Sequence, residues 1–137
     1  ARVLVTGSAR ESDLVQAVVS GQEGVVALAG RTSLPGAAAI VAGARAVITN
    51  NSLSMHLGDA FDVPVVATFS GSDPAERWMP RFAPRRVLTR MTECAPCFHV
   101  DCPRALECLD IPARSVAAAV AELVGVASMD ASRQVVA

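Results

Sequence analysis

At Asn50-Asn51-Ser52 an apolar run, Arg45 to Thr49, gives way to Leu53, Leu57 and Ala60 at helical spacing. Small polar residues at such a junction suit a helix N-cap, with Asn51 or Ser52 in that place. The amides of the first turn, Leu53 among them, then point outward beside the positive end of the helix dipole. Both features favour an anion, and a diphosphate is the expected guest. His56 lies one turn beyond Ser52 and leans back toward the helix start, within reach of that anion; the simpler role for a lone histidine is structural. Glu11 follows Gly7 and Ser8 at the start of an earlier helix. Its carboxylate can accept hydrogen bonds from both hydroxyls of a ribose or, more simply, can face a helix dipole. Arg31, Thr32 and Ser33 supply a cation, a hydroxyl and a helix cap at another strand end. Ser33 reads as the cap, and Arg31 and Thr32 as candidates for a nucleotide pocket.

A second constellation is Cys94-x2-Cys97-x4-Cys102-x5-Cys108, interrupted by Pro96 and Pro103. Four thiolates at this spacing can surround one zinc or iron ion tetrahedrally, and a structural metal is favoured over four reduced thiols or two disulfides. His99 and Asp101 fall inside the loop as substitute ligands. Trp78 and Phe82 read as packing beneath that loop rather than as sugar-stacking groups.

Alternating elements must position these groups. Strands are expected at Arg2 to Thr6, Val25 to Leu28, Arg45 to Thr49, Val65 to Phe69 and Arg86 to Thr89. Helices are expected at Glu11 to Val19, from Ser33 to Ala42 with Gly43 as stop, from Leu53, and near Ser115, where Val116, Val120, Leu123 and Val124 make an apolar stripe. Strand–helix–strand units of this kind predict an α/β, Rossmann-like parallel sheet with helices on both faces, and ligands at the strands' carboxyl ends. Those ends carry Gly7-Ser8, Gly30-Arg31-Thr32, Asn50-Asn51-Ser52 and Ser70-Gly71-Ser72, all on one rim.

The 137 residues make one ordinary domain, 52% hydrophobic, with no apolar run approaching the roughly 20 residues of a membrane span. A net charge of −1 argues against a nucleic-acid partner, and all twelve cationic residues are arginine. No secretory signal is visible, so a soluble, cytoplasmic protein is expected, including at the inner face of the membrane.

The chain resembles the ADP-heptose-dependent glycosyltransferases of family nine. Thr49 to His56 resembles that family's Thr-Asn-Asp-Thr/Ser-Gly-x-x-His, followed by Pro64-Val65-Val66-Ala67-Thr68-Phe69. Gly7 to Glu11, Gly30 to Leu34 and the cysteine segment resemble further landmarks in order, so the likeness covers most of residues 1–124. It implies the C-terminal, donor-binding half of a GT-B enzyme: a nucleotide-sugar domain at 1–124 with a cysteine-rich loop at 92–109, then a tail at 125–137. It implies a heptose-like sugar moved from ADP-heptose to a glycan or other hydroxyl acceptor, as in lipopolysaccharide biosynthesis. The acceptor would be activated by an N-terminal half, with no catalytic residue in this one. No catalytic cofactor is implied, so the cysteine ion would be structural. Glu11 would hold the ribose, and Gly7, Ser8, Arg31, Thr32, Asn51, Ser52, Leu53 and His56 the rest of the donor. Asn51 stands where the family has Asp and Leu53 where it has Gly, which bears on the sugar accepted. The rival readings are a stand-alone nucleotide-binding module and a metal-stabilised interaction domain.

Overall fold

The computed structural model describes residues 2–126 and 134–136. Its elements are β1 (Val3–Val5), α1 (Ser12–Val19), β2 (Val25–Ala27), α2 (Leu34–Ala42), β3 (Ala44–Asn50), α3 (Leu53–Ala60), β4 (Val65–Phe69), β5 (Arg85–Thr89), α4 (Ala113–Val126) and β6 (Gln134–Val136). The local signals act as their chemistry requires. At the start of α2, Ser33 Oγ accepts the Gly36 N–H at 3.3 Å, Pro35 occupies the first turn, and Gly43 caps the end.

The strands form one sheet in the order β2-β1-β6-β3-β4-β5, and every pairing among the described residues is parallel. Without β6 the order is that of a doubly wound sheet, which reverses direction between β1 and β3. Strand β4 shows why both faces are covered. Val65, Ala67 and Phe69 point to one side, where Met55 of α3 joins them in the core. Val66, between them in sequence, points to the other side and meets Ala119 and Leu123 of α4. The period-two alternation of a strand thus places consecutive apolar residues in two cores, which only a sheet buried on both faces allows.

Helix α3 lies very close to this sheet. A Cβ added at Gly58 would fall 2.6 Å from Val65 Cγ2.

The tail expected from residue 125 takes another form. Helix α4 runs on to Val126, and Gln134–Val136 pair between β1 and β3; residues 127–133 and 137 lie outside the described residues. Three residues show no readable period, and their pairing depends on two strand edges that are distant in sequence. Among the described residues no helix is long and apolar enough to cross a membrane.

The connection from β4 back to the amino edge at β5 is held by Asp59. Its carboxylate accepts the N–H groups of Arg81 (3.0 and 2.9 Å), Phe82 (2.8 Å) and Ala83 (2.9 Å). Burial alone would raise the Asp59 pKa, but the three amides and the charge of Arg85 outweigh it and hold the group below its ordinary value. We expect Asp59→Ala to lower stability by about 1–2 kcal/mol, discounted for partial exposure. Because the folded-state pKa is depressed, the contribution is present above the ordinary aspartate range and disappears as pH falls through the folded value. Urea melts of both proteins at neutral and acid pH check this: the gap between them should narrow on acidification.

Candidate nucleotide-binding site

A groove of about 750 Å³ opens at the carboxyl edge between the β1–α1 and β3–α3 junctions. It sits at the switch point of the sheet, above the pairing of β6 with Ala44–Val47. Its volume falls in the range of cofactor sites, about 300–1,000 Å³. Gly7, Ser8, Glu11, Thr32, Ser52 and Leu53 line it, so six residues singled out in the sequence come together from three separate strand ends.

Gly30 brings one of those ends in. Its N–H donates to the Gly7 carbonyl at 2.9 Å, its φ is +66°, and an added Cβ would fall 2.9 Å from the Ala9 Cα. Only glycine combines that backbone conformation with that approach. The bond ties the strand end carrying Thr32 to the Gly7-Ser8 turn.

Glu11 closes the same turn. Its Oε2 accepts both the Ser8 N–H and the Ser8 hydroxyl, each at 2.7 Å. The hydroxyl bond is the main reason its pKa is lowered; the amide bond adds to this, and slight desolvation opposes it. Near neutral pH it is a charged carboxylate with one oxygen fixed by Ser8. Among the described residues Oε1 makes no hydrogen bond, and it can accept one from a ligand hydroxyl.

On the other wall Ser52 is the N-cap of α3, in extended conformation, yet its side chain makes no cap hydrogen bond. The Thr49 hydroxyl donates to the Asn50 carbonyl at 3.0 Å, so the Ser52 hydroxyl donates to Thr49 Oγ1 at 2.8 Å. The helix start therefore keeps its dipole and is not covered by its own cap. That arrangement receives an anion from the groove.

Three other residues singled out in the sequence do not line the groove. Arg31 and Asn51 are exposed beside it. His56 faces the indole of Trp78, with ring centroids 6.5 Å apart and the planes at 72°. Trp78 Nε1 donates in turn to Asp73 Oδ2. Packing beneath the cysteine loop is the sequence expectation for Trp78 and Phe82, and the exposure of Phe82 does not agree with it. Trp78 stands against α3, and Phe82 is 84% exposed on the segment held by Asp59. The meeting of His56 with Trp78 had no local signal in the sequence, because it joins α3 to a segment that follows β4.

The cysteines are all free and only partly buried. Cys94 Sγ lies 3.3 Å from Thr92 Oγ1, and Cys102 Sγ accepts the N–H groups of Arg104 and Leu106, both at 3.4 Å. Among the described residues no three His, Cys, Asp or Glu side chains are gathered to hold a metal ion. Cys94, Cys97, Cys102 and Cys108 as placed here do not fit a tetrathiolate site. Spacing set the expectation, but the path of the loop decides where the sulfurs lie. Phe98, Ala105 and Leu106 all have positive φ and turn the chain between the cysteines.

The family model for glycosyltransferase family 9 (heptosyltransferase) matches residues 1–106. Among solved structures the chain is similar to a glycosyl transferase family 9 protein from Veillonella parvula, with 25% identity and a TM-score of 0.78. It is also similar to the ADP-heptose LPS heptosyltransferase II of E. coli, with 25% identity and a TM-score of 0.72. Each similarity covers 90% of this chain and 36% of the other, so the chain spans about a third of the length of the structures it matches. No curated protein matches it.

Proposed function

Because the chain belongs to glycosyltransferase family 9, we propose that it is the donor-binding half of a two-domain glycosyltransferase, with ADP-heptose or a related nucleotide sugar as donor. The observation that carries this reading is the groove at the sheet's switch point, where Glu11, Thr32 and Ser52 converge from separate strand ends. The free oxygen of Glu11 accepts from ribose hydroxyls, and the start of α3 receives the diphosphate. Negative charge grows on the diphosphate as the bond to the sugar breaks, and amides already aimed at it stabilise that charge without rearrangement. A glycan or other hydroxyl acceptor would be bound and activated by a second domain, so no base is assigned in this one. The chemistry assigned here needs no metal.

Calorimetry tests the reading. ADP should bind the chain, and the chain incubated alone with ADP-heptose and a glycan acceptor should release no ADP. Lack of any ADP binding would favour an interaction domain, and turnover by the chain alone would show that it is not half of an enzyme.

A further inference from the structure

Among the described residues, strand β6 is the one link within the sheet between its two halves. On one side β1 pairs with β2 and β6, and on the other β3 pairs with β4 and β6; β1 and β3 do not pair with each other. Set against the doubly wound order 3-2-1-4-5-6, β1 to β5 take the places of strands two to six. The place of the first strand is filled by the last one in the chain. That strand, Gln134–Val136, lies outside the residues 1–106 that match the family model. Its hold is short. Val135 and Val136 stand opposite Val3 and Leu4 of β1, and Gln134, Val135 and Val136 opposite Ala44, Ala46 and Val47 of β3, with the register broken between Ala44 and Ala46. Three residues are about half the usual length of a strand.

The groove opens directly above this strand. Val136 is level with Leu4 and Val47; Val47 and Ile48 line the groove on one side of it, and Thr6 and Gly7 on the other. The two walls therefore belong to different halves of the sheet, Ser8 and Glu11 to the β1 half and Ser52 and Leu53 to the β3 half. With a strand between them, β1 and β3 are held two strand spacings apart, about 10 Å. A nucleotide that reaches from Glu11 to the start of α3 must span that separation, so its affinity depends on whatever fixes it.

We propose that Gln134–Val136 is a strap that couples the C-terminal segment of the chain to the nucleotide site. The groove takes its ligand-ready width when the strap is docked between β1 and β3, and a bound nucleotide holds the strap in place. These are two sides of one coupling free energy and have the same size. When the strap leaves, β1–β2 and β3–β4–β5 keep their own pairings, so its release is a local opening of the sheet, less costly than unfolding. The proposal rests on the groove being the nucleotide site.

Hydrogen exchange and calorimetry test the coupling. With saturating ADP, the amides of Gln134–Val136 should exchange about tenfold more slowly, while those of β5, at the far edge of the sheet, change by less than about twofold. Val135→Pro removes a ladder N–H from the inner strand without touching a residue of the groove, and ADP affinity should fall about tenfold. The chain cut after Val126 should lose affinity to the same extent, with circular dichroism confirming that both variants are folded. Equal protection of β5 and β6 by ADP would overturn the coupling while the nucleotide site stands, and so would folded variants that keep wild-type affinity within about twofold. If both variants unfold, exchange in the wild-type chain decides alone. If ADP does not bind the wild-type chain, both readings fall together.

Discussion

Gly58→Ala should destabilise the protein by about 1–2 kcal/mol, and Gly58→Val by about 3 kcal/mol or more. The sign is informative, because the same change on an open helix surface would stabilise by roughly 1 kcal/mol through helix propensity. Gly58 lies within α3 and is buried. The added Cβ would meet Val65 Cγ2 at 2.6 Å and Val47 Cγ2 at 3.6 Å. Both valines are fully buried and β-branched, so neither can swing away without disturbing the sheet. The larger side chain must push α3 off β3 and β4, and with it the helix start that forms one wall of the groove. Gly36→Ala in α2 is the control. Its new Cβ would find only ordinary contact, 3.4 Å from Ser33 Oγ, and stability should hold or rise slightly. Denaturant midpoints of the three variants against wild type decide the matter. A neutral Gly58→Ala would mean that the helix can slide on the sheet.

Glu11→Ala should weaken ADP binding by about ten- to a hundredfold, the range expected when a charged acceptor of ligand hydroxyls is lost. Two effects act together. The ligand loses the carboxylate, and the Ser8 N–H and hydroxyl lose the oxygen that holds the turn at 2.7 Å. Glu11→Gln separates them, since its amide oxygen can still accept from Ser8 while the charge is gone. It should retain more of the affinity than Glu11→Ala. Wild-type affinity should also fall in acid as the carboxylate protonates, but only below the ordinary glutamate range, because its pKa is depressed. Calorimetry on the three proteins across pH checks each step. Affinity unchanged in Glu11→Ala would remove the residue from the site.

Much of this architecture is legible along the chain. Val65 to Phe69 reads as a strand and is one, and the Ser33 cap, Pro35 and Gly43 bound α2 as their local chemistry dictates. The rim also follows from order alone. In a parallel sheet every strand's carboxyl end points the same way, so Gly7-Ser8, Thr32 and Ser52 must share an edge once the strands are known. The kinship to family nine, carried by motifs in sequence order, is matched by the family model over residues 1–106.

Local sequence does not determine which side of a helix a residue faces in the assembled sheet, nor which segments become neighbours across it. His56 sits one turn from Ser52 by sequence, yet packing sends it toward Trp78, because α3 is fixed by Met55 and Gly58 against β3 and β4. The cysteine spacing allows a tetrahedral site, but the path of the loop, with positive φ at Phe98, Ala105 and Leu106, does not gather three such ligands among the described residues. Strand β6 is invisible in Gln134–Val136 because its hydrogen bonds belong to β1 and β3. Sequence by itself determined the elements, their caps and the shared edge, since these follow from near-neighbour backbone chemistry and from the polarity of parallel strands. Tertiary structure alone decided the meeting of His56 with Trp78 and the placing of β6, since both arise from contacts between distant segments whose energies no local pattern encodes.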